Sequence, residues 1–173
     1  MNNKAIFLDR DGVLNKDLGY VYKIEDLIIL DGVKIAIEKL RNMWYLLIVI
    51  TNQSGIWRWL YSLEECDNFH KQLQNNLWLE FDDIYICPHT EMDRCKCRKP
   101  WIQNILFAQK KYKIDLGNSY FIWDKTSDIQ CWKNAWCKTV FLWEEDPVNE
   151  NPTYTVKSLY DFANIINSIN IWI

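Results

Sequence analysis

At 173 residues the chain has the length of a single domain (1–173), enough to bury a sizeable core. Its 20 Lys+Arg against 23 Asp+Glu leave a net charge of −3, which excludes the basic footprint of a general nucleic-acid binder. The longest apolar run, Trp44 to Ile50, is too short for a bilayer, and Met1 leads directly into strand-like sequence with no secretory leader. The expectation is a cytoplasmic monomer that acts on a small molecule, with no nucleic-acid or membrane partner.

Strand and helix signals alternate along the chain. Lys4 to Leu8 is a short apolar strand closing on Asp9-Arg10-Asp11-Gly12-Val13. Gly32 to Met43 carries Val33, Ile37 and Leu40 at helical spacing. Tyr45 to Ile50 is a second buried strand, running into Thr51-Asn52-Gln53-Ser54-Gly55. Ser62 and Glu65 form a capping box for a helix to about Leu77. Asp83 to Cys87 is the third strand, and Pro100 opens a helix to about Tyr112. Ser119 to Trp123 is the fourth, followed by Asp124-Lys125-Thr126-Ser127-Asp128. A helix to about Ala135, a strand at Thr139 to Leu142 and a helix near Val156 to Ile169 complete the series. Five strands separated by helices specify an α/β fold with a doubly wound parallel sheet. Asp9, Thr51, Asp124 and, through its loop, Lys99 then converge at the carboxyl edge of that sheet, where such folds bind ligands.

Between the third strand and the following helix, Cys87, His89, Cys95 and Cys97 stand at spacing C-x-H-x5-C-x-C. Three thiolates and one imidazole match the closed ligand set of structural Zn²⁺; the alternative is a set of unrelated loop cysteines. Cys66, Cys131 and Cys137 remain as buried thiols, a pattern suited to a reducing cytoplasm.

Three carboxylates at one sheet edge (Asp9, Asp11, Asp124) repel unless a hard cation such as Mg²⁺ sits among them. Lys99 adds positive charge and Thr51 a hydrogen-bond donor, an arrangement that stabilises a transferring phosphoryl group. Asp9 is then the nucleophile and Asp11 the general acid and base.

The runs Phe7 to Asn15 and Thr51 to Ile56, together with Lys99 and Asp124-Lys125-x-x-Asp128, resemble the four motifs of haloacid dehalogenase-type phosphatases, over roughly residues 4 to 143. The zinc loop, 87 to 100, narrows the resemblance to the branch acting on heptose bisphosphates or histidinol phosphate. It implies a Rossmann-like fold, an aspartyl-phosphate intermediate, Mg²⁺, structural Zn²⁺ and a phosphorylated sugar as substrate. It also implies substrate contacts from Asn52, Gln53, Arg98 and Lys125. Asp17-Leu18-Gly19-Tyr20-Val21 resembles the substrate loop of the heptose enzymes, with Asp17, Gly19 and Tyr20 as its contacts. Ser54 stands where the histidinol enzymes usually carry an acidic residue. Residues 12 to 31 are too few for a helical cap, so no large cap covers the crevice. The alternatives are a histidinol-phosphate phosphatase, or a catalytically dead zinc-stabilised module whose crevice is blocked by Trp57, Trp59 and Trp123.

The chain has ten Trp and only five Gly, whereas glycine averages about 7 per cent of residues. Trp44, Trp78 and Trp136 each follow a predicted helix, where a left-handed cap favours glycine. By the same resemblance, Trp44, Trp57, Trp59, Trp78, Trp101, Trp123, Trp132, Trp136 and Trp143 fall where glycine is usual; Trp172 has no such counterpart. A gene whose UGA codons mean glycine, read as tryptophan, writes this pattern. It predicts positive φ, or outward or crowded indoles, at Trp44, Trp78, Trp123 or Trp136.

Overall fold

The computed structural model describes residues 2–124, 136–143 and 151–170. Lys125, Asp128, Cys131, Trp132, Trp172 and the helix expected to end near Ala135 lie outside them. Six parallel strands form one sheet: β1 (Lys4–Leu8), β2 (Tyr45–Asn52), β3 (Asp83–Cys87), β4 (Tyr120–Trp123), β5 (Lys138–Leu142) and β6 (Tyr154–Val156). Their spatial order is β3-β2-β1-β4-β5-β6, and every pairing is parallel. The doubly wound sheet expected from the alternation of elements is therefore present. β6, only three residues long, is the strand that sequence reasoning missed; its last residue, Val156, lies where the final helix was expected to begin, and that helix starts at Leu159.

β1 is central and reads as a continuous apolar run because both its faces are covered. Ile6 and Leu8 face one cluster, with α1 (Val33–Asn42), the end of α2 (Leu63–Leu77) and α4 (Leu159–Asn170). Ala5 and Phe7 face the other, with Ile105 and Ala108 of α3 (Gln103–Tyr112). Each fully buried Ile, Leu or Phe contributes about 1.5–3 kcal/mol relative to exposure. This two-sided core holds the carboxyl end of β1 rigid.

The capping box at Ser62 forms as expected. The Ser62 hydroxyl accepts from the Glu65 amide at 3.1 Å, and the Ser62 amide donates to the Glu65 carboxylate at 2.7 Å. Pro100 does not open α3. It follows a cis Lys99–Pro100 bond, and the helix begins at Gln103, because the chain first turns to present Lys99.

Four of the eight described tryptophans have a left-handed backbone, and Trp57, Trp101 and Trp143 do not. Trp44, Trp78 and Trp136 have φ of 64°, 56° and 54°, as expected, and Trp59 joins them at 59°. Trp123 differs: it is a strand residue of β4, only 2% exposed, with its ring 5.7 Å from that of Phe141.

Candidate active site

The strand order places the switch point between β1 and β4, whose carboxyl ends carry Asp9 and Asp124. Open α/β sheets form their ligand crevice at that point. A cleft of about 540 Å³ opens there, lined among others by Asp9, Asp11, Thr51, Lys99 and Arg98. Asp17, Gly19, Tyr20, Asn52, Gln53 and Ser54 line it as well, so the structure brings together nearly all the residues singled out in the sequence.

Asp9 directly follows β1, and its amide donates to the Ile122 carbonyl at 3.0 Å, extending the ladder towards β4. One of its carboxylate oxygens accepts from the Arg10 amide at 2.8 Å. The other pairs with Lys99 Nζ at 2.5 Å. Both residues are buried, which strengthens their attraction and makes removal of either partner costly. Asn52 clamps the Lys99 backbone from both sides: Oδ1 accepts its amide at 3.0 Å and Nδ2 donates to its carbonyl at 3.2 Å.

Asp11 is held by four donors. Arg10 Nε and Asn15 Nδ2 reach Oδ1 at 3.0 and 2.9 Å; Arg10 Nη2 and Gln53 Nε2 reach Oδ2 at 2.8 and 3.0 Å. Gln53 Nε2 also donates to Thr51 Oγ1 at 2.8 Å, and its Oε1 accepts from the Tyr61 hydroxyl at 2.6 Å. Tyr61 in turn stacks on Tyr22 with ring centroids 4.6 Å apart. Burial raises the Tyr61 pKa well above its ordinary value, so it remains a neutral donor. Arg10, Tyr61 and Glu91 were missed by sequence reasoning: Arg10 and Tyr61 meet Val21, His70 and Tyr22 only in the fold, and Glu91 meets Arg98 only through the turn of the cysteine loop.

Asp124 lies on the other side of the turn. A Cβ on Gly12, whose φ is +82°, would run into the Asp124 carboxylate, and Asp124 lines a neighbouring hollow with Gly12 and Val13. Asp9, Asp11 and Asp124 offer hard oxygen donors of the kind Mg²⁺ takes, and Gly12 leaves room for the Asp124 carboxylate beside the turn; among the described residues, only the Cys87, His89, Cys95 and Cys97 group already has its ligand atoms drawn together.

Behind the cleft, Cys87, His89, Cys95 and Cys97 form a cluster whose ligand atoms all lie within 4.8 Å of one another. The Sγ···Sγ separations are 3.3, 3.4 and 3.6 Å, and His89 Nδ1 is 3.3 and 3.8 Å from two of the sulfurs. A tetrahedron of thiolates about 2.3 Å from a zinc ion has edges of about 3.8 Å, so the cluster is close to the size such an ion requires. Arg98 leaves this loop towards the cleft, donating to the His89 carbonyl at 3.2 Å and to Glu91 at 3.1 Å.

None of Trp57, Trp59 and Trp123 lines the cleft. Trp59 is 94% exposed, Trp57 rests 5.3 Å from the His89 ring, and Trp123 is packed into the core. The expected blockage is absent because these rings point away from the crevice or beneath it.

Beside Arg10, His70 is buried, and its pKa is lowered to about 3 by burial and then by the guanidinium. In the unfolded chain it titrates near 6.5, so the unfolded state binds the extra proton between those values. Stability associated with neutral His70 is complete above pH 6.5 and is lost as pH falls towards 3, by up to about 1.4 kcal/mol per pH unit. Denaturant unfolding from pH 7 to pH 5 should therefore show a larger loss for the wild type than for His70→Gln. Parallel losses would refute the assignment.

No family model matches the chain. It is 40% identical to the D-glycero-beta-D-manno-heptose-1,7-bisphosphate 7-phosphatase of Helicobacter pylori (strain ATCC 700392 / 26695), covering 96% of this chain and 98% of that protein. It is 38% identical to the D-glycero-alpha-D-manno-heptose-1,7-bisphosphate 7-phosphatase of Campylobacter jejuni, over 99% and all of the respective chains. Among solved structures, the D,D-heptose 1,7-bisphosphate phosphatase of B. bronchiseptica, complexed with magnesium and phosphate, superposes with a TM-score of 0.86. That pair is 27% identical, over 96% of this chain and 99% of the other.

Proposed function

Because the chain belongs to the family of heptose 1,7-bisphosphate 7-phosphatases with the haloacid dehalogenase fold, we propose that it removes the 7-phosphate from D-glycero-D-manno-heptose 1,7-bisphosphate. The observation that carries this reading is the buried Asp9–Lys99 pair beside a four-donor clamp on Asp11, in a cleft bordered by the loop of Asp17, Gly19 and Tyr20.

Asp9 attacks phosphorus through the oxygen that now faces Lys99, and the P–O bond to the sugar breaks. Asp11 serves as general acid to the departing sugar oxygen, carrying the proton only once one of the four donors on its carboxylate gives way, and later takes a proton from the water that hydrolyses the aspartyl-phosphate. Lys99 offsets the charge on the transferring group, the Thr51 hydroxyl and the second N–H of Asn52 Nδ2 supply hydrogen bonds, and Gln53, whose amide is engaged by Asp11, Thr51 and Tyr61, borders the substrate. Arg98 and Lys125 contact the remainder of the substrate, with Ser54 and the Asp17–Tyr20 loop. Asp9, Asp11 and Asp124 would hold Mg²⁺, which supplies Lewis-acid charge neutralisation when bound. Among the described residues no large cap stands over the cleft, which leaves it open to a soluble sugar phosphate without lid closure.

Purified protein with Mg²⁺ should release phosphate from the heptose bisphosphate and leave the 1-phosphate ester intact. Preference for histidinol phosphate, or binding of the sugar phosphate without turnover, would overturn the assignment. The free thiols among the described residues support a reducing, cytoplasmic setting, in which the protein acts as a monomer.

The Cys87, His89, Cys95 and Cys97 cluster would hold Zn²⁺, whose role there is to fix the loop that presents Arg98 and Lys99. Four protein ligands leave no open coordination position for chemistry. Cys95→Ser should lower both thermal stability and turnover, and the metal content should fall with them. Full activity in a verified zinc-free protein would refute this role.

A further inference from the structure

Eight described non-glycine residues have positive φ, and four of them are tryptophan. Positive φ in a non-glycine residue is uncommon and favours Asn or Asp; a bulky side chain there is an outlier. The hydrogen bonding at two of these sites shows which residue the backbone suits. After α2, the Trp78 amide donates to the Asn75 carbonyl at 3.2 Å and the Leu79 amide to the Gln74 carbonyl at 3.2 Å. At the turn after Ser54, the Trp59 amide donates to Ile56 at 3.1 Å and the Leu60 amide to Gly55 at 2.9 Å. Both are Schellman motifs, and in each the tryptophan occupies the left-handed position usually held by glycine. Trp44, just beyond α1, makes the corresponding amide bond to Arg41 at 2.9 Å.

Apart from the Lys34 ammonium 3.7 Å over the Trp78 ring, the side chains gain little from these positions. Trp44, Trp59, Trp78 and Trp136 are 90%, 94%, 84% and 78% exposed, although tryptophan is highly buried on average. The backbone is strained for the largest side chain, while the side chain finds almost no core. The overall counts of ten Trp and five Gly point the same way.

We propose that the cell that makes this protein reads UGA as glycine, and that positions 44, 59, 78 and 136 are glycine in the native polypeptide. Each left-handed site then loses its strain, worth about 5- to 30-fold in the ratio of folded to unfolded protein. The gene is the first test: TGA at codons 44, 59, 78 and 136 is expected, and TGG there overturns the proposal. Mass spectrometry of the protein isolated from its own cells is the second, with glycine-containing peptides expected and tryptophan at these positions fatal. A recombinant chain carrying Trp44→Gly, Trp59→Gly, Trp78→Gly and Trp136→Gly should resist denaturant better than the sequence as written. An equal or lower midpoint would contradict the strain argument independently of the gene.

A second inference comes from Arg10 and rests on the roles proposed for Asp9 and Asp11. Arg10 has no exposed surface, and its guanidinium is fully engaged. Nε and Nη2 grip both oxygens of Asp11, and Nη2 also donates to the Val21 carbonyl at 2.6 Å. Nη1 lies 3.4 Å from His70 Nε2, and the plane packs on Phe69 with the carbon centre 4.7 Å from the ring centroid. Val21 ends the loop that carries Asp17, Gly19 and Tyr20 into the cleft. One buried cation thus ties the acid–base carboxylate to the substrate loop. We infer that Arg10 is a positioning residue that aims Asp11 at the leaving oxygen.

The test compares two substrates on each preparation: a sugar phosphate, whose leaving oxygen needs a proton, and p-nitrophenyl phosphate, whose leaving group does not. In Arg10→Lys, kcat/KM for the sugar phosphate should fall about 100-fold, and that for p-nitrophenyl phosphate by a much smaller factor. The ratio is independent of the fraction of folded protein. Phe69→Leu, which loosens the guanidinium without removing it, should shift the ratio in the same direction. Equal losses on both substrates in both variants would overturn the positioning role. If the wild type cleaves p-nitrophenyl phosphate but not the heptose bisphosphate, the substrate assignment fails, and another alkyl phosphate still tests Arg10.

Discussion

Asp9→Asn should abolish phosphate release, with kcat reduced on the order of 10⁴-fold or more, the scale of losing a covalent nucleophile. The substitution keeps the side-chain volume at a buried position, so the packing around β1 is preserved. It does remove the charge facing Lys99, which is only 4% exposed. Leaving a buried ammonium without its partner costs roughly 3–5 kcal/mol. A lower thermal midpoint is therefore expected, and activity must be measured well below it. The double variant Asp9→Asn with Lys99→Met separates the two effects: it should recover stability and remain inactive. Wild-type-like phosphate release from folded Asp9→Asn would exclude Asp9 as the nucleophile.

The central strand, the motifs at its end and the metal loop were legible because their signals are local. Ala5 to Leu8 is apolar on both faces, Asp9 and Asp11 sit two residues apart, and the four zinc-loop ligands span eleven positions. The left-handed caps were legible too, since a bulky residue after a helical pattern conflicts with the backbone that must follow. What sequence hid depends on distance along the chain. Arg10 looks like an exposed turn residue until Val21, Phe69 and His70 close around it. β6 has three residues and pairs on one side only with β5, too short to separate from the helix behind it. Pro100 carries a helix-start signal, yet the chain uses it to turn after Lys99. The clamp of Asn52 on that turn is invisible to any local pattern.

Gly12→Ala should cost less than loss of the nucleophile but still cripple the site, through geometry rather than chemistry. Two glycines near the site have similar backbones: φ is +82° at Gly12 and +73° at Gly19. The left-handed conformation alone costs an alanine about 1–2 kcal/mol at either position. They differ in what surrounds the new methyl. At Gly19 it meets nothing within 4 Å, while at Gly12 it runs into the Asp124 carboxylate. Either Asp124 must withdraw or the turn carrying Asp11 must shift, and a displacement of about 1 Å can cost 10²-fold in rate. Gly12→Ala should therefore lose at least about 10²-fold in kcat and require far more Mg²⁺ to reach its maximum. Gly19→Ala should lose modest stability and keep its Mg²⁺ requirement. Titrating Mg²⁺ against activity in the two variants distinguishes these outcomes. Matching titration curves would mean that Asp124 does not act at the turn, and that Gly12 serves the backbone alone.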